Sequence, residues 1–356
     1  MGREVDVVVV GGGITGVATL RALARSGVRT ILLEQFELGH TRGSSHGTSR
    51  IFRLSYTDPE YTRMALEALG CWNEIEEEQG VPLIVRSGSI DLGDGAAETE
   101  RSLAASSIAY EIVEPETAGR RWPLTVGPAE RLVFQPEGGY LLADRALQTF
   151  LSGARAAGGE VRERDRVIAV DVRQDGVVVT TAAGEEVSAG AVVVAAGAWA
   201  RGLLAPLEID LPVIPTRETV AYFAHPAADE LPAVIEYPSA TRPLATDQVY
   251  YALPAPGLGL KAGIHHAGPP ADPEQIGAQD ERVVEATAAW IAQRFPEVDP
   301  TPVGADTCMY TNTADESFVV EAHGRVVVAS ACSGHGFKFA PLLGARIAEL
   351  ARSAAA

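Results

Sequence analysis

Lysine is nearly missing from this chain. Of 29 cationic residues, only Lys261 and Lys338 are lysines, and the other 27 are arginines. Positive charge is scarce altogether, because 47 Asp and Glu bring the net charge to −18. Such a field repels phosphate backbones, so nucleic acid and anionic membrane surfaces are excluded as partners. Long apolar runs are absent too. The richest, Ala191 to Ala200, falls far short of the roughly 18 residues that a membrane span requires. The start, Met1-Gly2-Arg3-Glu4-Val5-Asp6, has no secretory apolar core and runs directly into a strand, which reads as a soluble, cytoplasmic protein. Three cysteines, Cys71, Cys308 and Cys332, cannot build a disulfide framework. No Cys-x-x-Cys pair exists, so no metal site is expected. No Ser-His-Asp arrangement or carboxylate pair supports hydrolase chemistry.

The composition that remains is globular, with 46% hydrophobic and 21% charged residues. A length of 356 residues exceeds one ordinary core. Val5 to Val10 is a β-branched apolar run of the kind found in buried parallel strands. Gly11-Gly12-Gly13-Ile14-Thr15-Gly16 follows, then a helical stretch Val17 to Arg25, then a second strand Val28 to Leu33 closed by Glu34. Strand, glycine turn, helix, strand and acid together make a dinucleotide-binding unit. Gly11 permits the tight turn, Gly13 lets the backbone approach a pyrophosphate, and Gly16 lets helix and strand pack closely. Glu34 is placed to accept ribose hydroxyls. The alternative is a glycine-rich strand turn with no ligand.

The fingerprint does not choose between NAD and FAD. NAD enzymes usually continue at once with further strand–helix units, whereas here the chain leaves for a loop, 39–56, rich in Gly, Ser, His and Arg. The other Rossmann-like pieces come later. They are a helix Arg145 to Ala157, a strand Val161 to Val170, a hairpin Gly176 to Val187, a strand at Val192–Val194 ending in the Gly197–Trp199 turn, a strand Arg325 to Ser330 and a helix Leu342 to Ala351. The expected fold class is α/β plus α+β: a Rossmann-like nucleotide domain (1–80, 145–215 and 305–356) with an inserted antiparallel-sheet substrate domain (81–144 and 216–304).

Both lysines sit in Gly-rich apolar settings, Leu260-Lys261-Ala262-Gly263 and Gly336-Phe337-Lys338-Phe339. Solvated surface lysines do not look like this, and the context suits a compact ammonium that Arg cannot imitate. These two segments, with Ser44–Arg53, Cys308–Asp315 and Gly11–Gly16, resemble the monomeric sarcosine oxidase and N-methyltryptophan oxidase family, within the D-amino-acid-oxidase-like FAD superfamily. The resemblance covers most of the chain in the same order. It implies an FAD oxidase of secondary, N-methyl amino acids such as sarcosine, giving an imine, then aldehyde plus amine, and hydrogen peroxide. It also implies a small-molecule substrate, O2 as acceptor and a monomer.

The resemblance assigns roles residue by residue. Cys308 matches the cysteine that tethers the flavin covalently, for which its sulfur must reach the ring edge as a thiolate; a buried structural thiol is the alternative. Arg53 and Lys338 match the pair that anchors the substrate carboxylate, Arg as a fork and Lys as a point charge. Arg50, three residues earlier, faces another way in an extended segment and suits a flavin-side or supporting role. Lys261 matches the lysine assigned to O2 reduction, where a preorganised cation stabilises developing negative charge; a snorkelling sheet-edge lysine is the alternative. His265 and Tyr251 match pocket residues that keep the bound amine neutral, although His265 could equally be a satisfied core histidine. His266 is expected on the opposite face, toward solvent. Tyr310 shares a face with Cys308. Ser45, His46, Thr48, Gly197, Trp199, Gly334, His335, Gly336 and Phe337 complete the expected cofactor contacts. Cys71, in a helical stretch beside Trp72, reads as core, and Cys332 as structural. Loops 54–61 and 237–249 decide the substrate side chain, and cyclic secondary amino acids stay open. So does a flavin amine dehydrogenase subunit that passes electrons to a partner protein. A non-catalytic nucleotide-binding module is the third reading.

Overall fold

A computed structural model describes residues 4–240, 244–275 and 277–356. Residues 241–243, inside one loop expected to shape side-chain choice, lie outside the described residues. Two sheets carry the architecture. The first has six strands in the order Val319–His323, Val326–Ser330, Ala191–Val194, Val7–Val10, Thr30–Leu33, Glu160–Arg162. It is parallel except where Val319–His323 turns back on Val326–Ser330. Its central strand Val7–Val10 is buried on both faces, which is why that run carries no alternating polar residue. One face is covered by three helices, Ile14–Arg25, Ala143–Ala156 and Ala340–Ala355. The other face packs on a three-stranded meander, Val167–Arg173, Gly176–Thr181 and Glu186–Ala189.

The second sheet has eight strands in the order Pro302–Asn312, Ile214–Phe223, Gly259–Ile264, Tyr250–Ala255, Ala233–Glu236, Ser89–Leu92, Leu132–Gln135, Glu111–Ile112. It is antiparallel apart from the parallel pair Ala233–Glu236 and Ser89–Leu92. The helix Glu281–Arg294, capped by Asp280 accepting from Arg282 N at 3.0 Å, covers one face. The strand Pro302–Asn312 crosses the expected boundary at 304/305, so Cys308 rides on this second sheet, paired with Glu218.

Two sequence expectations change. The single strand Val161 to Val170 is two strands in two sheets. Arg164 takes a left-handed φ of 57°, and Arg164 N and Asp165 N bond to Phe36 O and Glu34 O, steering the chain out of the parallel sheet. Loop 39–56 also contains a strand, Ser49–Phe52, which pairs with Gly139–Leu142 and makes a small sheet with Ile84–Val85. That pairing partner lies about 90 residues away, beyond the reach of local pattern.

Candidate active site

The glycine turn is built by close approach. A Cβ on Gly16 would lie 1.9 Å from Gly11 O, and one on Gly11 would lie 2.5 Å from Ala195 O. Gly13 caps the helix Ile14–Arg25 without a side-chain bond of its own, and Ser45 Oγ accepts Ile14 N–H at 3.0 Å. Glu34 ends its strand facing this turn, accepting from Gly12 N at 2.6 Å and Phe36 N at 2.8 Å.

From this turn a cavity of about 940 Å³ runs to the second sheet. It is lined by Gly11, Gly13, Ile14, Thr15, Glu34, Ser45, His46, Arg50, Arg53, Gly197 and Trp199, and further along by Tyr251, Lys261, His265, Cys308, Tyr310, Gly334, His335, Gly336, Phe337 and Lys338. Gly16 and Thr48 do not line it; Gly16 packs behind the turn, and Thr48 is half-buried with its Oγ1 enclosed. Buried polar atoms without protein partners face the cavity: His46 Nε2 and Trp199 Nε1. A cavity with a phosphate cradle at one end and such orphaned donors and acceptors along it fits an extended dinucleotide.

The far end is strongly cationic. Lys261 projects from the strand Gly259–Ile264, opposite Leu253 and Tyr222, and is 8% exposed. Burial, reinforced by the neighbouring Arg50 charge, pushes its pKa down to about 7. Arg50 ties its loop together by donating to the carbonyls of Ser49, Ser44 and His46 at 2.6–2.8 Å, and lies over the Phe337 ring. Burial also lowers His46, to about 4, with Arg50 and Lys261 adding to the effect, so this imidazole is neutral. Cys308 sits beside the same cations. Burial raises its thiol pKa, and Arg50 and Lys261 act against that rise. The thiolate expected here therefore depends on those two charges.

Arg53 and Lys338 converge on one ring, Tyr56, at 4.7 and 5.2 Å from its centroid. Lys338 Nζ donates to Tyr56 Oη at 2.7 Å and to His335 O at 3.2 Å. Its backbone is pinned from behind, since the buried Trp72 donates Nε1–H to Lys338 O at 2.7 Å. Burial, then the Arg53 charge, holds the Lys338 pKa well below its ordinary value. One nitrogen of Arg53 is committed to Asp91 Oδ1 and Tyr237 Oη, both at 2.9 Å. The sequence carried no sign of Asp91 or Tyr237 as partners of Arg53, or of Tyr56 as a partner of Lys338, because these pairs are 38, 184 and 282 positions apart. An aspartate in the fully buried run Ser89-Ile90-Asp91-Leu92 marks the site only once the strand's burial is known.

Tyr251, Tyr310 and His265 line the same cavity. Burial raises both tyrosines and lowers His265. A Cβ on Gly334 would lie 2.3 Å from Tyr310 and 2.7 Å from His265, so this turn closes directly against both rings. His266 departs from expectation. Its φ of 58° breaks the strand alternation, and its ring stands 4.0 Å from that of His265 rather than on the opposite face. His335 stacks with Phe318 at 4.7 Å, and burial lowers it to about 3. Cys71 is only half-buried; its neighbour Trp72 is the core residue. Cys332 Sγ accepts from Thr311 N at 3.3 Å, in keeping with a structural thiol.

A parallel nucleotide-type sheet joined through one cavity to a large antiparallel sheet, with cations at the junction, fits an enzyme that sets a dinucleotide against a small anionic substrate. The FAD dependent oxidoreductase family profile matches residues 6–350, and the chain belongs to that family. It is similar to monomeric sarcosine oxidase of a Bacillus species, 32% identical over 99% of this chain and 93% of the relative. It is equally similar to human peroxisomal sarcosine oxidase, at 32% over 97% and 91%. N-methyl-L-tryptophan oxidase of Salmonella heidelberg is 30% identical over 97% and 94%. Among solved structures, NikD, an unusual amino acid oxidase essential for nikkomycin biosynthesis, superposes with a TM-score of 0.88 at 29% identity, over 98% of this chain and 94% of NikD. L-proline dehydrogenase from P. horikoshii shares the fold with a TM-score of 0.85 at 20% identity, over 98% and 94%. Among the described residues, no helix is long and apolar enough to cross a membrane.

Proposed function

We propose that the chain oxidises secondary α-amino acids, N-methyl amino acids such as sarcosine foremost, as a monomer. Substrate, O2 and water become the demethylated amino acid, an aldehyde and hydrogen peroxide. Bound FAD supplies the electron acceptor for the amine carbon and the donor to O2. Gly11, Gly13, Ile14, Thr15, Ser45 and Glu34 hold its phosphates and ribose, with Gly16 supporting the turn from behind. His46, Trp199, Gly197 and the Gly334–Phe337 turn flank the rest, with Thr48 behind them. Cys308 tethers the ring edge.

Arg53 and Lys338 then hold the substrate carboxylate, the fork and the point charge acting on one anion. The second nitrogen of Arg53 and the Lys338 ammonium provide the donors, while Asp91 keeps the fork oriented. Tyr251, Tyr310 and a neutral His265 form a wall that favours the uncharged amine. Lys261 holds positive charge where O2 is reduced, with Arg50 keeping the loop in place. The observation that carries this reading is a single cavity that starts at the Gly11–Ile14 cradle and ends among Arg53, Lys338, Lys261 and Cys308.

A panel of secondary, primary and cyclic amino acids, read by peroxide output of the isolated protein, tests it. Sarcosine-type substrates should lead. Leadership by proline or pipecolate would move the assignment to cyclic substrates. Reduction of the flavin by substrate without peroxide would make the chain an electron-transferring dehydrogenase. Acid precipitation should leave the flavin colour in the pellet, and Cys308→Ala should release it to the supernatant.

A further inference from the structure

Beside the substrate cavity, three potential metal ligands from two distant segments meet. His265 Nε2 lies 3.7 Å from Glu316 Oε2, and His266 Nδ1 lies 4.0 Å from Glu316 Oε1. The three ligand atoms all lie within 4.8 Å of one another. A tetrahedral zinc ion, with bonds of about 2.0–2.2 Å, spaces its ligands roughly 3.3 Å apart, so the three ligand atoms have to close in by up to about 1.5 Å to hold it. We propose that His265, His266 and Glu316 form a binding site for a divalent transition-metal cation of the zinc class, and that its occupation blocks substrate entry.

The arrangement is built rather than incidental. His266, Glu316 and Ser333 each take a left-handed backbone conformation, with φ of 58°, 62° and 42°. Half of the chain's six such non-glycine residues among those described thus surround one spot, and strain of this kind persists where the surroundings impose it. The turn at His266 is held by Gln248 Nε2 donating to His266 O at 2.7 Å. His266 Nε2 faces Ser333 O at 3.3 Å; a proton there leaves the Nδ1 lone pair toward Glu316. Glu316 is anchored through its own carbonyl, which accepts from His335 Nε2 at 3.0 Å. The second ring nitrogen of His266 and the backbone carbonyl of Glu316 thus have partners of their own, which leaves His266 Nδ1 and the Glu316 carboxylate to face each other. Without the φ reversal, His266 would face the other side of the strand and no pair of imidazoles would exist.

Two imidazoles and one carboxylate are a donor set that zinc takes with a fourth position left open. His265 and Glu316 line the cavity, so that position faces the substrate path. A net charge of −18 also concentrates cations around the chain. Metal binding ties His265 to the turn carrying Glu316 and narrows the cavity that Arg53 and Lys338 also line. The inhibitory half of the proposal rests on the function assigned above; the site does not.

The test is calorimetric titration of the untagged FAD-loaded enzyme with zinc chloride, alongside the amine oxidation rate. One equivalent of zinc should bind, and substrate KM should rise with zinc and recover with EDTA. His266→Gln and Glu316→Gln should each weaken zinc affinity at least tenfold, with inhibition judged against each variant's own zinc-free rate. His323→Ala, which removes the exposed His323–Glu321 pair, should bind zinc as the native chain does. Unchanged affinity in both His266→Gln and Glu316→Gln, or a site lost with His323→Ala, overturns the proposal. Native folding of the variants is checked by flavin absorbance and thermal melting. Zinc binding without peroxide from any amine would retain the site and refute the assigned function. Peroxide without zinc binding would do the reverse.

Discussion

At the scale of single residues, Lys261 places a charge where burial opposes it. Its pKa falls from 10.5 to about 7, chiefly through desolvation. The cost follows from linkage. Below pH 7 both folded and unfolded chains hold the proton and the penalty is full. Between pH 7 and 10.5 only the unfolded chain holds it, so stability rises with pH across that window. The cofactor-free Lys261→Met protein should therefore be more stable than the native one at neutral pH, by on the order of 2–4 kcal/mol, and the gap should close toward pH 10. Urea unfolding at several pH values measures this. In the loaded enzyme the same substitution should slow reoxidation by O2 by orders of magnitude, while anaerobic reduction by substrate changes less; stopped-flow absorbance separates the two. Lys338 is depressed for the same reason, with Arg53 adding repulsion. An anionic ligand binds its protonated form, so carboxylate inhibitors should lose affinity as pH rises through that lowered pKa. Lys338→Met should weaken and flatten the profile. An unchanged slope in Lys338→Met would remove this lysine from the carboxylate site.

At the scale of elements, the glycine turn and the strands around it were legible because their constraints are local. Gly11 and Gly16 sit where any side chain strikes a carbonyl oxygen. Gly16→Ala should push the helix Ile14–Arg25 off the sheet, cost roughly 1–3 kcal/mol as overpacking does, and yield protein with little retained FAD; absorbance per chain and thermal melting report both. Loop 39–56 was not legible in the same way. Its strand Ser49–Phe52 exists only because Gly139–Leu142 pairs with it. That pairing sets where Arg50 and Arg53 diverge, Arg50 into its own loop carbonyls and Arg53 toward Asp91 and Tyr237. The two-histidine corner escaped period-two reasoning as well, since one left-handed residue at His266 reverses the expected face.

At the scale of the whole molecule, the second sheet is secured by a buried charge cluster whose side chains do not line the cavity. Arg294 is fully buried and donates to Glu236 and Glu130, with Nε at 2.8 Å from Glu236 Oε2 and Nη2 at 2.9 Å from Glu130 Oε1. Trp290 Nε1 also donates to Glu236. Arg294→Ala leaves two buried carboxylates uncompensated and should cost roughly 3–5 kcal/mol. A drop in melting temperature on the order of 10 °C should follow, with flavin content per folded chain unchanged; equal loss of flavin would tie this cluster to the site. The chain order of strand, glycine turn, helix and acid determined the nucleotide-binding half by itself, since hydrophobic period and glycine sterics act over a few residues. The two lysines, too, were marked by composition and immediate neighbours. Only the tertiary structure decided that Asp91, Tyr237 and Tyr56 stand beside Arg53 and Lys338, that Cys308 rides the second sheet next to Arg50, and that Glu316 meets two histidines. Those contacts join residues up to about 280 positions apart, and strand pairing and burial, not local pattern, bring them together.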